Sequence, residues 1–98
     1  MGTHVLKILP NHYMAVISGR KKAELRKNDR DYNEGDRLHF REWARGKYTG
    51  RELVVRVTHV LDCSCVIEGA DQWVVLSIRM PNRSFYEIPD CLMNGFRG

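Results

Sequence analysis

Alternation of apolar and polar side chains after Gly19 constrains the fold more than any other feature of the sequence. Successive side chains of a strand point to opposite faces, so a period of two residues predicts strands that each present one apolar face to a core. Short segments rich in Gly, Asn and Asp separate the alternating segments and predict hairpin-like connections. The predicted strands are Lys22–Arg26, Arg37–Trp43, Arg51–Leu61 and Gln72–Met80, with loops at 28–36, 44–50 and 62–71.

A strand and a short helix are predicted ahead of these segments. Val5–Leu9 has the apolar character of a strand. Pro10 suits the first position of a helix, because the N–H that it lacks would have no partner there, and Gly19 can end the helix. A helix over Pro10–Ser18 beside four or five strands predicts an α+β fold that is mainly β, a small β-barrel with one or two short helices.

The chain has 98 residues, enough for one small domain, which we expect to be the barrel of residues 1–80. Residues 81–98 are predicted to form a C-terminal tail, because they contain prolines and show no clear period. Phe85, Tyr86 and Ile88 are among several large apolar side chains in this segment, which is unusual for a wholly disordered tail. The tail is therefore expected to dock along the barrel, to contact a protein partner, or to be partly disordered.

Positive charge is concentrated in the middle of the chain. Residues 20–56 hold twelve basic and seven acidic side chains, a net charge of +5, whereas the whole chain carries +4. A basic region can bind a polyanion, so RNA or a nucleotide is the expected partner; a solvated surface rich in both signs is the alternative. No apolar segment is long enough to span a bilayer and no secretory signal is present, so we expect no membrane association and a cytoplasmic location.

The cysteines do not form a pattern typical of disulfides or metal sites. Cys63, Cys65 and Cys91 are odd in number, and the first two are separated by a single residue, which predicts reduced thiols. With His59 they could supply four zinc ligands, but paired Cys ligands of zinc are typically about two to four residues apart. We therefore expect neither a metal site nor a cofactor.

The segment from Gly19 to Arg26 gives the strongest indication of a functional site. Gly19 permits a sharp turn that leaves Lys21 outside the strand, while Glu24 and Arg26 project from one strand face, roughly 7 Å apart. Arg presents a planar fork of donors to phosphate or to a base carbonyl, Glu accepts from an exocyclic amino group, and Lys supplies a charge or a base. The simpler interpretation is a salt bridge on an exposed strand.

This segment, Gly19-x-Lys21-x-x-Glu24-x-Arg26, resembles the G-x-K-x-x-E-x-R signature of ASCH domains, which belong to the PUA-like superfamily. Further blocks make the chain similar to the small ASCH/PUA-related family DUF3850. These blocks are HVLKILP at 4–10, LRKNDRDY at 25–32, GD at 35–36, REW at 41–43 and YTGR at 48–51. The resemblance implies a β-barrel with a helix at one mouth, and a cleft lined by the motif residues that recognises RNA or a nucleotide.

The same resemblance suggests an enzyme as an alternative. Some small ASCH proteins are amidohydrolases of N4-acetylated cytidine that use the motif Lys, a Thr and a distant Glu. Lys21 matches the Lys, but Glu24 stands where those enzymes carry the Thr. In an enzyme, Lys21 would be the base and Glu24 its acid–base partner; because of the missing Thr we assign no catalytic residue and favour binding.

The predicted site extends beyond the motif. Lys7 is included because we expect the first strand to run beside the motif strand. Aromatic and basic side chains alternate around residues 41–51, where rings can stack on bases while the charges hold phosphates; Trp43 covering the end of the core is the alternative. The predicted binding residues are Lys7, Gly19, Lys21, Glu24, Arg26, Arg41, Trp43, Tyr48 and Arg51.

Three functions remain open from the sequence. The first is a module that binds RNA, or a modified nucleotide in RNA, through the basic cleft. The second is a hydrolase that acts on a modified nucleobase. The third is a protein-interaction module that engages its partner through residues 81–98.

Overall fold

A computed structural model describes residues 2–80 and shows a small, mainly β fold. Five strands and one α-helix lie in this part of the chain, where the sequence predicts four or five strands and a short helix. The elements are β1 (Thr3–Ile8), α1 (Pro10–Ile17), β2 (Ala23–Lys27), β3 (Arg37–Ala44), β4 (Lys47–Asp62), a 3-10 turn (Cys63–Cys65) and β5 (Trp73–Arg79). The expectations for the tail 81–98 and for Cys91 fall outside the described residues. Within residues 2–80, no helix has the length and apolar character needed to cross a membrane.

Helix α1 begins and ends where the sequence predicts, to within one residue. Pro10 occupies its first turn, and Tyr13, Val16 and Ile17 are buried on one side. Gly19 follows with a φ of 81°, a left-handed conformation that side chains with a Cβ rarely adopt, and its N–H donates to the Val16 carbonyl over 3.0 Å. The chain can therefore leave the helix in a tight turn and enter β2 almost at once.

The sheet has the strand order β1-β3-β4-β5-β2. Strands β1 and β3 are parallel, and the other neighbours are antiparallel. The sheet is curled, because its two edge strands approach each other: the Arg26 guanidinium on β2 donates to the Lys7 carbonyl on β1 over 3.0 Å. The expectation that the first strand runs beside the motif strand needs correction. The two strands do not pair in the sheet, since β1 takes β3 as its neighbour, and they meet only across the curl.

The core lies between α1 and the concave face of the curled sheet. Leu38 and Phe40 of β3 point inward together, as the alternation predicts. The buried core side chains are Leu6, Ile8, Tyr13, Val16, Ile17, Tyr32, Leu38, Phe40, Leu53, Val55, Val57, Val74, Leu76 and Ile78. We call the opposite side of the sheet the outer face; it is formed by the side chains that alternate with the buried ones. Strand β2 differs, since Glu24 and Arg26 point inward while Leu25, 61% exposed, points outward.

The predicted loop at 44–50 is wrong, because β3 and β4 are joined by a turn of only two residues. Arg45 and Gly46 have φ angles of 54° and 81°, and β4 already begins at Lys47. Two consecutive left-handed residues match the type I′ turn, whose twist suits the flanking strands. The pair Arg-Gly lacks the usual Asn-Gly signature of this turn, so the sequence did not indicate it.

Asp36 fastens the start of the chain to the loop before β3. This carboxylate is buried and accepts hydrogen bonds from the Gly2 N–H (2.9 Å), His4 Nε2 (2.7 Å) and the Asn33 N–H (2.9 Å). Burial by itself raises the pKa of Asp36, but these hydrogen bonds more than offset it and lower the pKa from 3.8 to about 2. The ionised carboxylate is therefore an integral part of the fold.

This lowered pKa predicts a loss of stability in acid. The folded-state pKa lies below the unfolded value, so the stabilisation is present above about pH 4 and is lost as the pH falls through about 2. The shift corresponds to about 2 kcal/mol. In urea unfolding between pH 5 and pH 2, we expect the free energy of unfolding of the wild type to fall more steeply than that of Asp36→Asn. Identical pH dependence of the two proteins would contradict this assignment.

Candidate functional site

The turn after α1 sets the position of Lys21. Its backbone N–H donates to the Ala15 carbonyl over 2.9 Å, which folds the turn back onto the helix. Two residues later the chain enters β2 at Ala23, and the next residue, Glu24, points toward the interior. The spacing of the motif thus places a lysine from a turn and a carboxylate from a strand on the same side of the chain.

Glu24 is a buried carboxylate held by two cations. It is 6% exposed; its Oε1 accepts from Lys21 Nζ over 2.6 Å, and its Oε2 accepts from Arg26 Nε over 2.7 Å. The Lys21 and Arg26 side chains are about a quarter exposed, so their positive charges are partly accessible to solvent. Burying a charge is unfavourable unless it is paired and hydrogen-bonded. The interpretation as a salt bridge on an exposed strand therefore does not describe this group, and we refer to these three residues as the Glu24 triad.

The Glu24 triad lines a cleft of about 360 Å³ between the two edge strands and the start of α1. Apolar side chains and polar groups share the lining, which consists of Lys7, Ile8, Leu9, His12, Lys21, Glu24, Leu25 and Arg26. The volume falls within the range of small-molecule sites, about 300–1,000 Å³. Two cations and one carboxylate leave the triad with a net positive charge, so the cleft favours an anionic or electron-rich polar ligand.

The backbone and the side chain of Lys7 lie at different sites. Its carbonyl accepts the Arg26 hydrogen bond at the cleft, whereas its Nζ lies 3.9 Å from the centre of the Trp43 ring on the outer face. Trp43 packs edge to face against Tyr48, with the ring centres 4.8 Å apart, and the Arg41 guanidinium lies 3.9 Å from the Tyr48 ring. These contacts join the strands β1, β3 and β4. The structure thus separates the predicted site into the cleft and this outer group, which we call the hairpin patch.

Trp43 lies on the outer face rather than among the core side chains. Tyr48 is 38% exposed beside it, and Arg45 and Lys47 at the tip of the hairpin are exposed. Cation–π contacts of this kind contribute roughly 0.5–1 kcal/mol at exposed sites. The hairpin patch is thus a prearranged surface of rings and positive charges.

Arg51, predicted to bind ligand, is engaged inside the protein. Its Nε and Nη2 donate to both oxygens of Glu42, over 2.8 and 2.5 Å, and its guanidinium lies 4.6 Å from the Tyr13 ring. These hydrogen bonds hold the pKa of Glu42 below its ordinary value, and the same pairing raises the pKa of Arg51. The pair ties β3, β4 and α1 together.

Glu42 was missed by the sequence reasoning, although a signal for it was present. It follows Leu38 and Phe40 at the same period of two residues, which places it on the inner face, where it is 3% exposed. A carboxylate in phase with core residues needs a buried partner, and Arg51 and the Thr49 hydroxyl supply one.

The cysteines and histidines do not gather into a ligand set in the part of the chain that the structure describes. Cys63 is buried and Cys65 is exposed. Among residues 2–80, no group of three or more His, Cys, Asp or Glu side chains is arranged to hold a metal ion.

Two comparisons with known proteins found a match. The family model described as "Domain of unknown function (DUF3850)" matches residues 3–78. An Escherichia phage P2 protein, described as "Uncharacterized 12.9 kDa protein in GpA 3'region", is 42% identical over 65 residues. That alignment covers 66% of this chain and 60% of the phage protein, so the chain spans less than two thirds of the relative's length. The family match contains every residue of the cleft and of the hairpin patch.

Proposed function

This chain belongs to the DUF3850 family, and we propose that it is a binding module that recognises RNA, or a modified nucleotide in RNA, through the cleft of the Glu24 triad. The observation that carries the proposal is the buried Glu24 carboxylate, which fixes the donors of Lys21 and Arg26 at the lining of a cleft. Donors held in place before a ligand arrives lose less freedom on binding, so binding costs less entropy.

A nucleotide matches the chemistry of this cleft better than an apolar ligand does. The Arg26 fork can donate to a base carbonyl or a phosphate, and Lys21 supplies a compact positive charge for a phosphate. Leu9, which is 53% exposed at the edge of the cleft, offers apolar contact to the face of a ring. RNA-binding proteins commonly splay out single bases and contact both their edges and their faces, and this cleft offers both kinds of contact.

The hairpin patch provides a second set of contacts for the same ligand. Trp43 and Tyr48 present aromatic surface for neighbouring bases, and Lys7 and Arg41 hold positive charge beside the rings. Base stacking on aromatic side chains is worth about 1–3 kcal/mol per base and tolerates any sequence. A strand that places one nucleotide in the cleft could therefore continue onto this patch.

We also propose that the fold is related to the ASCH domains of the PUA-like superfamily. The support is the position of the Gly19-x-Lys21-x-x-Glu24-x-Arg26 motif, which lies at a helix–turn–strand junction and lines a cleft beside the helix. The mainly β fold with a curled sheet agrees with this relationship.

The experiment that tests the proposed function separates binding from catalysis. Lys21 Nζ donates a hydrogen bond to Glu24, which holds this side chain at the cleft, so Lys21 is the residue whose removal distinguishes the two functions. We expect Lys21→Ala to lower the affinity for a short single-stranded RNA. The slope of log affinity against log salt concentration, which we call the salt slope, should become shallower by about 0.7, the share of one phosphate contact. Lys22→Ala, which changes an exposed neighbour, is the matched control. Deacetylation of N4-acetylcytidine by the wild type that vanishes in Lys21→Ala would overturn the proposal in favour of an amidohydrolase.

RNA binding is also expected to be sensitive to salt. The excess of basic residues between 20 and 56 suggests three to five phosphate contacts, which give a log–log slope of affinity against salt of roughly −2 to −3.5 on single strands. Fluorescence anisotropy of a labelled RNA at increasing salt measures this slope. No binding at low salt, or binding that does not respond to salt, would remove the electrostatic part of the proposal.

A further inference from the structure

Three arginines form a row across the outer face. Arg37 on β3 is directly opposite Arg56 on β4, and Arg56 is directly opposite Arg79 on β5. All three side chains are exposed and alternate with the buried residues of their strands, so they share the outer face. Neighbouring strands lie about 4.8 Å apart, so the Cα atoms of the three arginines lie on a line roughly 10 Å long.

This arginine row has no acidic counterpart within residues 2–80. None of the three forms a salt bridge with another described residue. The wider outer face is also basic: its strands carry Lys7, Lys27 and Arg41 in addition to the row, and Glu52 as the acidic residue. The strands thus carry six basic side chains on the outer face against one acidic side chain.

Like charges directly opposite each other destabilise a sheet. Such a row therefore lowers the stability of the free protein, and an anion that lies across the strands removes the repulsion. A phosphate backbone meets this requirement, since it presents regularly spaced negative charges, and Arg binds phosphate with a fork of donors.

We propose that the arginine row binds the phosphate backbone of a single-stranded nucleic acid. The inference rests on the proposed function and extends it from one nucleotide in the cleft to a strand on the outer face. Trp43 lies on the same face of β3 as Arg37, six residues away and so roughly 20 Å along the strand. A strand of several nucleotides could then contact phosphate-binding arginines at one end of the face and stacking rings at the other, which is how open sheets bind single-stranded RNA. These aromatic rings favour nucleic acid over other polyanions.

The test compares two variants that each lose two positive charges. Arg37→Gln with Arg56→Gln removes two of the three arginines of the row, and Arg20→Gln with Arg30→Gln removes two exposed cations of the connecting segments. The probes are a single-stranded RNA pool of randomised twelve-nucleotide sequence, the four ribonucleoside monophosphates, and vesicles containing anionic lipid. We expect the row variant to bind the RNA pool about ten- to a hundredfold more weakly at low salt, and its salt slope to be shallower by about 1.4. We expect it to retain its binding of monophosphates, and its thermal midpoint to be equal to or above that of the wild type, because the opposed charges are gone.

Each contrary outcome is distinguishable. Equal RNA affinities for the row variant and the control variant would overturn this inference and leave the cleft proposal standing. If the wild type did not bind the monophosphates, the proposed function would be overturned. Binding of the wild type to anionic vesicles but not to the RNA pool, reduced in the row variant, would assign the row to a membrane surface and overturn the inference.

Discussion

Replacing Arg26 by alanine is expected to weaken the binding of a short single-stranded RNA by about 1.5–3 kcal/mol, more than tenfold. The reason is that the Arg26 guanidinium lines the cleft and its side chain is 26% exposed, and charge-assisted hydrogen bonds from it to a ligand are among the stronger kinds. The measurement is a fluorescence anisotropy titration of wild type and variant at the same low salt concentration. Arg30→Ala, which removes an exposed cation from the loop after β2, is the control for lost charge.

Arg26 also bridges the sheet edges through the Lys7 carbonyl, so the alanine variant needs a check of its fold. Arg26→Lys provides one, because it keeps the positive charge but removes the planar fork. We expect this variant to fold and to recover only part of the affinity. Full affinity in Arg26→Lys would show that the fork is not used, and full affinity in a folded Arg26→Ala would remove Arg26 from the site.

Replacing Glu42 by alanine is expected to lower the free energy of unfolding by about 2–4 kcal/mol. This carboxylate is 3% exposed and accepts hydrogen bonds from Arg51 and from the Thr49 hydroxyl, so its removal leaves a half-buried guanidinium without its partner. A loss of that size is a large part of the stability of a small domain, typically about 5–15 kcal/mol. Urea denaturation followed by circular dichroism measures it.

Glu34→Ala is the matched control for Glu42, since it removes an exposed carboxylate from the loop before β3. We expect it to change the free energy of unfolding by at most about 0.5 kcal/mol. If Glu42→Ala were as stable as Glu34→Ala, the pair with Arg51 would not fasten β3, β4 and α1, and Arg51 would again be a candidate for ligand binding.

The local structure of this chain was largely predictable, because it depends on residues close in sequence. Period-two alternation located strands such as β3, and Pro10 with Gly19 located the ends of α1. The turn at Arg45 and Gly46 was not predictable in the same way, because its left-handed residues lack the side chains that usually mark such a turn. Local sequence patterns therefore predicted the helix and the strands, but not the length of every connection between them.

The strand order and the composition of the site depend on contacts between residues distant in sequence. The period of β2 correctly paired Glu24 with Arg26 on one face, but only the curl of the sheet shows that this face is buried and that it closes onto β1. In the same way, the arginine row requires the register of three strands, which no single segment of the sequence specifies. Arg51 was predicted to bind a ligand because it is basic and lies among aromatic residues. In the structure its guanidinium instead pairs with Glu42 inside the protein.

The central claim is that the cleft of the Glu24 triad binds a nucleotide, and backbone amide chemical-shift mapping tests it most directly. Uniformly ¹⁵N-labelled protein is titrated with the four ribonucleoside monophosphates, which are small enough to occupy the cleft without covering the outer face. We predict saturable shifts concentrated at residues 19–26 and 7–12, the two segments that contain the lining of the cleft, and their loss in Arg26→Ala. Titrations without saturable shifts, or with shifts confined to residues outside those two segments, would contradict the claim.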